Sequence, residues 1–171
     1  MVDEIEPLAP EGRAPQHYLI FSQVELDASS LIRAAQRLNP SLRPHQLELD
    51  VGGFSGGAQG FSARLLLRAE FGPERGEYLL SQRAPSPEDQ AAAQRAELSG
   101  KAYGMAQLSA RCPWLWQLQA APGESTPAGQ VDGPLTLLLC ALLAGVALGP
   151  VLPPAQDTLF GVRGARERSG F

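Results

Sequence analysis

The sequence predicts the α+β class: a two-layer sheet in the order β-α-β-β-β-α with its helices on one face, followed by a C-terminal apolar helix. Two runs, 45–51 and 61–71, alternate apolar and polar side chains, which is typical of strands with one solvent-facing side. Two other segments repeat apolar residues at helical spacing behind capping side chains, which indicates amphipathic helices. The composition agrees with a folded domain, since 44% of the residues are hydrophobic and 19% are charged.

The first predicted strand covers 17–26 and begins apolar on both faces, as an interior strand does. A helix follows it, because Asp27 can act as its N-cap and the Asn39-Pro40 pair ends it. Polar residues occupy the other side of this helix, so we expect it to lie on the sheet. The residues expected on its buried side are Ala28, Leu31, Ile32, Ala35 and Leu38.

The two alternating runs are predicted to pair as antiparallel strands that are covered on one side only. The outward row carries acids in 45–51 and arginines in 61–71. Opposite charges on neighbouring strands can pair, and each pair contributes about 0.2–1 kcal/mol. A turn at 72–76 and an apolar run at 77–83 then give the next strand.

A second helix is predicted to begin at 86–89, where a capping serine precedes a proline and two acids. Gly100 and Gly104 each cost about 1 kcal/mol relative to alanine in a helix, so we expect a close backbone approach or a bend there. Residues 114–118 are expected to close the domain. The predicted buried stripe of this helix is Ala91, Leu98, Ala102, Met105, Leu108 and Cys112.

These elements predict a domain that folds by itself, flanked by polar segments and one apolar segment. Glycine, proline and serine after the domain are typical of a linker. The predicted organisation is a disordered acidic tail at 1–15, an α+β domain at 16–118, a flexible linker at 119–134, an apolar helix at 135–152 and a polar C-terminal tail at 153–171.

The apolar helix raises the question of what buries it. No charged residue occurs from 133 to 156, and eight leucines within 135–152 occupy every side of the helix. A helix that is apolar all round must be buried all round, and a two-layer domain of this size is expected to have no such place. Because about 20 apolar residues span a bilayer, we expect membrane insertion. The alternative is burial in the subunit interface of a homo-oligomer.

Charge and the N-terminal residues indicate where the protein acts. The net charge of −4 excludes the basic surface that nucleic-acid binding requires. The acidic start lacks the basic and apolar pattern of a secretory signal. We therefore expect a membrane-associated protein with its main domain in the cytoplasm, and a soluble cytoplasmic protein is the alternative. Trp114 and Trp116 suit either a membrane interface or packing on the sheet.

The glycine-rich stretch 51–60 is the strongest candidate binding site. Its glycines have neither the P-loop nor the dinucleotide-binding spacing. If the strands before and after the first helix pair in parallel, this loop and the helix start lie at the same end of the sheet, where ligands favour binding. Two phenyl rings on a glycine loop would grip a small molecule or a partner peptide. The expected site residues are Gly53, Phe54, Gly56, Gly57 and Phe61.

Catalytic and metal-binding patterns are missing from the sequence. His17 and His45 begin two strands that the predicted order makes neighbours, but two imidazoles do not make a metal site, so we expect no metal and no cofactor. Nucleophile elbows, zinc-protease helices and C-x-x-C pairs are absent. We therefore predict a non-enzymatic binding or assembly module with a protein partner, tethered to a membrane. The alternative is a soluble protein that binds a small ligand through residues 51–60, or a homodimer.

Overall fold

The computed structural model describes residues 17–54, 60–101, 103–121 and 133–170, and it confirms the α+β class. The predicted tail at 1–15, most of the predicted linker, and Ala102 lie outside the described residues. A 3₁₀ turn, Asn39–Leu42, follows the first helix. The elements in chain order are β1 (His17–Ser22), α1 (Ala28–Leu38), β2 (Leu47–Gly53), β3 (Ala63–Phe71), β4 (Glu74–Arg83), α2 (Pro87–Gly100), α3 (Met105–Ser109), β5 (Trp114–Ala120), α4 (Pro134–Ala147), β6 (Val151–Leu152) and α5 (Val162–Ser169).

The strands form one antiparallel sheet in the order β2-β3-β4-β5-β1-β6. Four antiparallel steps separate β1 from β2, so these strands run in the same direction but are not neighbours. The expected parallel pair therefore does not form. The position beside β1 that was expected for β2 is occupied by β5, in the register Ile20↔Trp116. Residues 114–118 therefore belong to an interior strand.

The residues of β1 alternate between two apolar cores, one on each face of the sheet. Tyr18 and Ile20 belong to the main core, which contains residues of α1, α4 and α5. Leu19 and Phe21 belong to a second core, which contains alanines of α2. Because alternate strand residues point to opposite faces, α2 lies on the face opposite α1, a placement that differs from the one-face expectation.

Both predicted helix starts are confirmed by capping hydrogen bonds. Ser30 N donates to the Asp27 carboxylate at 3.0 Å at the start of α1. At the start of α2, Asp89 N donates to Ser86 Oγ at 3.1 Å and Ser86 N donates to the Asp89 carboxylate at 2.7 Å. These reciprocal bonds satisfy donors that a helix start leaves without an intrahelical partner.

The buried side of α2 differs from the predicted stripe. Leu98 is 69% exposed, so its predicted burial is wrong. The helix ends at Gly100, where an added Cβ would lie 2.8 Å from Thr158 Cβ, and Gly104 turns the chain with a φ of +94°. The predicted stripe assumed one continuous helix from 87 to 112, whereas α2 and α3 are two separate helices. The side that packs on the sheet consists of Asp89 and three alanines, Ala92, Ala93 and Ala96.

Asp89 is expected to make the stability of the protein depend on acid pH. Burial is the largest influence on Asp89 and acts to raise its pKa, but the hydrogen bonds from Arg83 and Ser86 together outweigh it and lower the pKa. A lowered folded-state pKa contributes stability above about pH 4, and this contribution is lost as the pH falls through the folded-state value. Asp89→Asn should therefore lower the free energy of unfolding by about 2 kcal/mol at pH 7.

Urea unfolding at pH 7 and at decreasing pH below 4 measures this effect. The difference between Asp89→Asn and the unmodified protein should shrink at acid pH. Glu88→Gln removes the neighbouring, exposed acid of the same helical turn and is the matched control. A difference that stays constant over the whole pH range would contradict the role of the ionised carboxylate.

The apolar helix α4 packs on the main-core face of the sheet, where ten of its fourteen residues are buried. Tyr78 Oη and Thr136 Oγ1, both buried, share a hydrogen bond of 3.0 Å between β4 and α4. Helices α1 and α5 contact the two sides of α4. The structure thus differs from the expectation that the chain has no place for this helix. The enclosure is completed by β6, which forms from the last two residues of the predicted apolar helix, and by α5, which lies in the segment predicted as a polar tail.

No helix in the described ranges is both long enough and apolar enough to cross a bilayer. Trp116 is fully buried in the main core and donates from Nε1 to Gln82 Oε1 at 3.1 Å. Trp114 is half-buried and packs against the same core. Both tryptophans therefore pack on the sheet, which is the second of the two positions expected for them.

Candidate functional site

The expected site lies at the end of the β2–β3 hairpin. Gly53 is the last residue of β2, and Phe54 N donates to Arg64 O at 3.2 Å, which continues the ladder by one residue. Phe61 lies two residues before the start of β3. Gly56 and Gly57 lie outside the described residues.

The two phenyl rings contact a guanidinium group of the chain itself. Arg64 Cζ lies 5.0 Å from the ring centroid of Phe54 and 5.2 Å from that of Phe61. Arg64 Nε also donates to Ser81 Oγ at 3.4 Å, which draws the side chain across the sheet towards β4. Contacts between an arginine and an aromatic ring contribute about 0.5–1 kcal/mol at exposed sites. The two rings predicted from the sequence thus form a cluster around Arg64, which was not among the predicted site residues.

The two histidines do not come together. His17 is in β1 and His45 precedes β2, and the four strand intervals between those strands separate them by roughly 19 Å. Burial, and then the nearby charge of Arg83, lower the pKa of His17. His45 instead packs its ring edge-on against Phe71, with 5.5 Å between centroids. Among the residues that the structure describes, no group of three or more His, Cys, Asp or Glu side chains is placed to hold a metal ion.

A cleft of about 810 Å³ lies where β2 begins, between the end of α1 and the β3–β4 turn. Asn39 shapes one wall, because Leu47 N donates to Asn39 Oδ1 at 2.7 Å and Asn39 Nδ2 donates to Leu47 O at 3.4 Å. The charged and titratable groups of the lining are Arg43, His45, Glu48 and Glu70. Glu48 and Glu70 also border the open face of the sheet, so the cleft and that face form one surface.

The open face of β2, β3 and β4 carries the ion pairs that the sequence predicts. Arg68 lies 2.8 Å from the Glu77 carboxylate and 3.9 Å from that of Asp50. Glu48 stands directly opposite Glu70 in the β2–β3 register. Within the described residues no cation lies within ion-pair distance of Glu48, and like charges directly opposite each other destabilise a sheet. The β2 side of this face is therefore acidic.

The two edges of the sheet differ in what covers them. At the β6 edge, Val151 N donates to Phe160 O at 2.7 Å and Phe160 N donates to Val151 O at 3.1 Å, so the chain covers this edge itself. At the β2 edge, Asn39 bonds the outward main chain of Leu47. Because outward groups recur at every second residue, those of Leu49, Val51 and Gly53 also point away from β3. No other element of the described chain bonds them.

The sequence pattern indicates the acids and arginines of this surface but not the free edge. The alternation in 45–51 placed Glu48 and Asp50 outward, as observed. It contained no signal for the position of β2 in the sheet, because strand order depends on pairings distant in sequence. The predicted neighbour of β2 was β1, and that pairing would have hidden the edge.

Comparisons with protein-family models, with curated proteins and with solved structures find no match for this chain. Its own geometry and charges are therefore the basis for assigning a function.

Proposed function

We propose that the protein is a non-enzymatic binding module that takes up an extended segment of a protein partner along β2. The free main chain of β2 is the observation that carries this proposal. An edge strand with unpaired N–H and C=O groups is a template for a further strand. An added peptide would bond Leu49, Val51 and Gly53 and extend the sheet by one strand.

The charges beside the edge support a basic partner. Glu48 and Asp50 lie on the open face of β2, and the Asp50 side chain is 79% exposed. Lysine or arginine at alternate positions of an added strand would lie next to these acids on the same face. Such a partner would also relieve the repulsion between Glu48 and Glu70. Ion pairs at the rim of an interface favour the correct partner and speed its association.

A second copy of the chain fits this edge less well. The antiparallel register that pairs the whole of β2 with another β2 places the two Asp50 carboxylates opposite each other. Like charges in that position are destabilising. The edge therefore favours a different chain over self-association.

The membrane tether expected from the sequence is not part of this proposal. Its support was that the chain could not enclose 135–152. In the structure α4 packs on the sheet, with ten buried residues.

Two labelled nine-residue peptides test the proposal by fluorescence anisotropy with the full chain. One alternates lysine with valine, and the other alternates glutamate with valine. We expect the lysine peptide to bind at least about tenfold more tightly, which corresponds to 1.4 kcal/mol, and to weaken as salt is added. Equal binding of the two peptides would refute the charge preference.

Substitutions at Gly53 test the edge separately from the charge. An added Cβ at Gly53 meets no atom within 4 Å, so the residue has room for a side chain. Gly53→Pro removes an outward N–H and should abolish peptide binding, whereas Gly53→Ala keeps that N–H and should bind normally. Hydrogen exchange should slow at Leu49 and Val51 when the lysine peptide is added. Binding that survives Gly53→Pro, with unchanged exchange at these amides, would refute strand addition.

Charge reversal at Glu48 has a matched control. Glu48→Lys should weaken binding of the lysine peptide by about tenfold or more, because it replaces an attraction with a repulsion. Asp157→Lys makes the same change in net charge at an exposed loop residue and should leave binding unchanged. Similar losses in both variants would show that total charge, and not the β2 surface, governs binding.

A further inference from the structure

The outward side of α4 forms the floor of a second concave surface, whose described lining contains no residue of β2. This trough lies between α1 and α5 and has a volume of about 530 Å³. We call it the α4 trough. Its apolar lining comes from all three helices and the segment before α1: Val24, Ala34, Leu38, Ala141, Leu142, Gly145, Val146 and Val162.

Gly145 gives the trough its depth. Gly145 lies in the interior of the α4 sequence but is exposed to solvent, and an added Cβ would meet no atom within 4 Å. Glycine inside a helix is less stable than alanine, and no packing contact of the described chain requires it here. The missing side chain therefore leaves space above the helix that the protein does not itself fill.

Arginines from both sides border this apolar floor. Arg33 and Arg37 extend from one face of α1, and Arg166 extends from α5. None of the three lies in an ion pair within the described ranges, and Glu25 is the one acid in the described lining. A cationic rim on an apolar floor is notable in a chain of net charge −4.

We propose that the α4 trough binds a linear alkyl carboxylate, with its chain along α4 and its carboxylate at the arginines. Guanidinium groups match the geometry of a carboxylate. The described lining contains no aromatic ring on which a base or other flat group would stack. The volume falls within the 300–1,000 Å³ that small-molecule sites occupy. The wall from Ser30 to Leu38 is only about 12 Å long, too short for the roughly 800 Å² that a stable protein partner buries.

Isothermal titration of the full chain with octanoate and decanoate tests the proposal. Two more buried CH₂ groups should tighten binding by about tenfold. Decylammonium has the same chain with the opposite charge and should not bind detectably. Equal binding of decanoate and decylammonium would overturn the proposal, since it would show adsorption to apolar surface alone.

Variants of the floor and the rim then locate the site. Gly145→Leu should abolish decanoate binding while raising Tm by about 2 °C, because leucine favours the helix and its Cβ meets no atom within 4 Å. Arg166→Gln should weaken decanoate binding by about tenfold. The control is Arg95→Gln, at an exposed residue of α2, which should leave decanoate binding unchanged.

Two results would contradict the assignment of decanoate to the trough. Unchanged decanoate binding by Gly145→Leu would place the ligand elsewhere. A dimer of the unmodified protein that becomes monomeric in Gly145→Leu, seen by sedimentation, would show that a second copy fills the trough. Either result would overturn the proposal, and neither depends on the β2 surface.

Discussion

Replacing Gly149 with alanine is expected to lower the free energy of unfolding by about 4 kcal/mol. An added Cβ would lie far inside contact distance of the Phe21 carbonyl oxygen, 2.8 Å from Phe21 C and 3.1 Å from Cys112 Sγ. The first two atoms belong to the main chain of β1, which is held between β5 and β6. Overpacking of a core costs about 1–3 kcal/mol, and more where the backbone must shift.

Urea unfolding measures this effect as a fall in the midpoint with an unchanged slope. Gly145→Ala is the matched control, because it makes the same substitution four residues earlier, where a Cβ meets no atom within 4 Å. We expect it to stabilise the protein by about 0.5–1 kcal/mol. A loss of less than 1 kcal/mol in Gly149→Ala would show that β1 and the α4–β6 connection separate more easily than their contacts indicate.

Replacing Gln82 with leucine is expected to cost about 3 kcal/mol. The Gln82 side chain is fully buried, and its Oε1 accepts from Leu26 N at 2.6 Å and from Trp116 Nε1 at 3.1 Å. Its Nε2 donates to Ser62 Oγ at 3.1 Å. Leucine has a similar volume but no acceptor, so two donors lose their partner, at about 1–3 kcal/mol each.

Gln117→Leu is the control for this substitution. Gln117 is half-buried in β5. Among the described residues, its side chain bonds only Gln119, its neighbour on the same strand face, at 2.8 Å. We expect it to change stability by no more than about 0.5 kcal/mol. The near-ultraviolet circular dichroism of Trp116 should change in Gln82→Leu and not in the control. Equal losses in the two variants would contradict the role of Gln82 as a shared acceptor.

The parts of the fold that were predicted correctly depend on residues close together in sequence. The N-cap at Asp27 and the capping box of Ser86 and Asp89 each involve residues within three positions of each other. The alternation in 45–51 and 61–71 likewise records one buried face for each strand. Such local patterns do not depend on which strand lies next to which.

The strand order and the position of α4 were not predicted, because both depend on distant partners. The register of β1 pairs Ile20 with Trp116 on one side and with Val151 on the other. The short runs of β5 and β6 carry no alternation that identifies these pairings. Without these pairings, no part of the chain could be identified that buries α4, so its leucines indicated a membrane or another subunit.

The candidate site was predicted in part. The hairpin between the alternating strands was enough to bring Phe54 and Phe61 near each other. The position of Arg64 between the rings depends on side-chain conformations that spacing does not specify. The free edge of β2 follows from the strand order, so it was visible only in the structure.

The position of β1 has a consequence for how the nascent chain folds. Both neighbours of β1 are made late, since β5 begins at Trp114 and β6 ends at Leu152. At about 5–20 residues per second, a ribosome takes on the order of 10 s to reach β6 after finishing β1. The β2–β3–β4 meander can form in that interval from local pairings. During the same interval the apolar side chains of Ile20 and Phe21 lack the strands they pair with in the folded protein. Joining strands so distant in sequence is slow, and we expect β1 to enter the sheet after the meander and β5, with β6 following it at the edge.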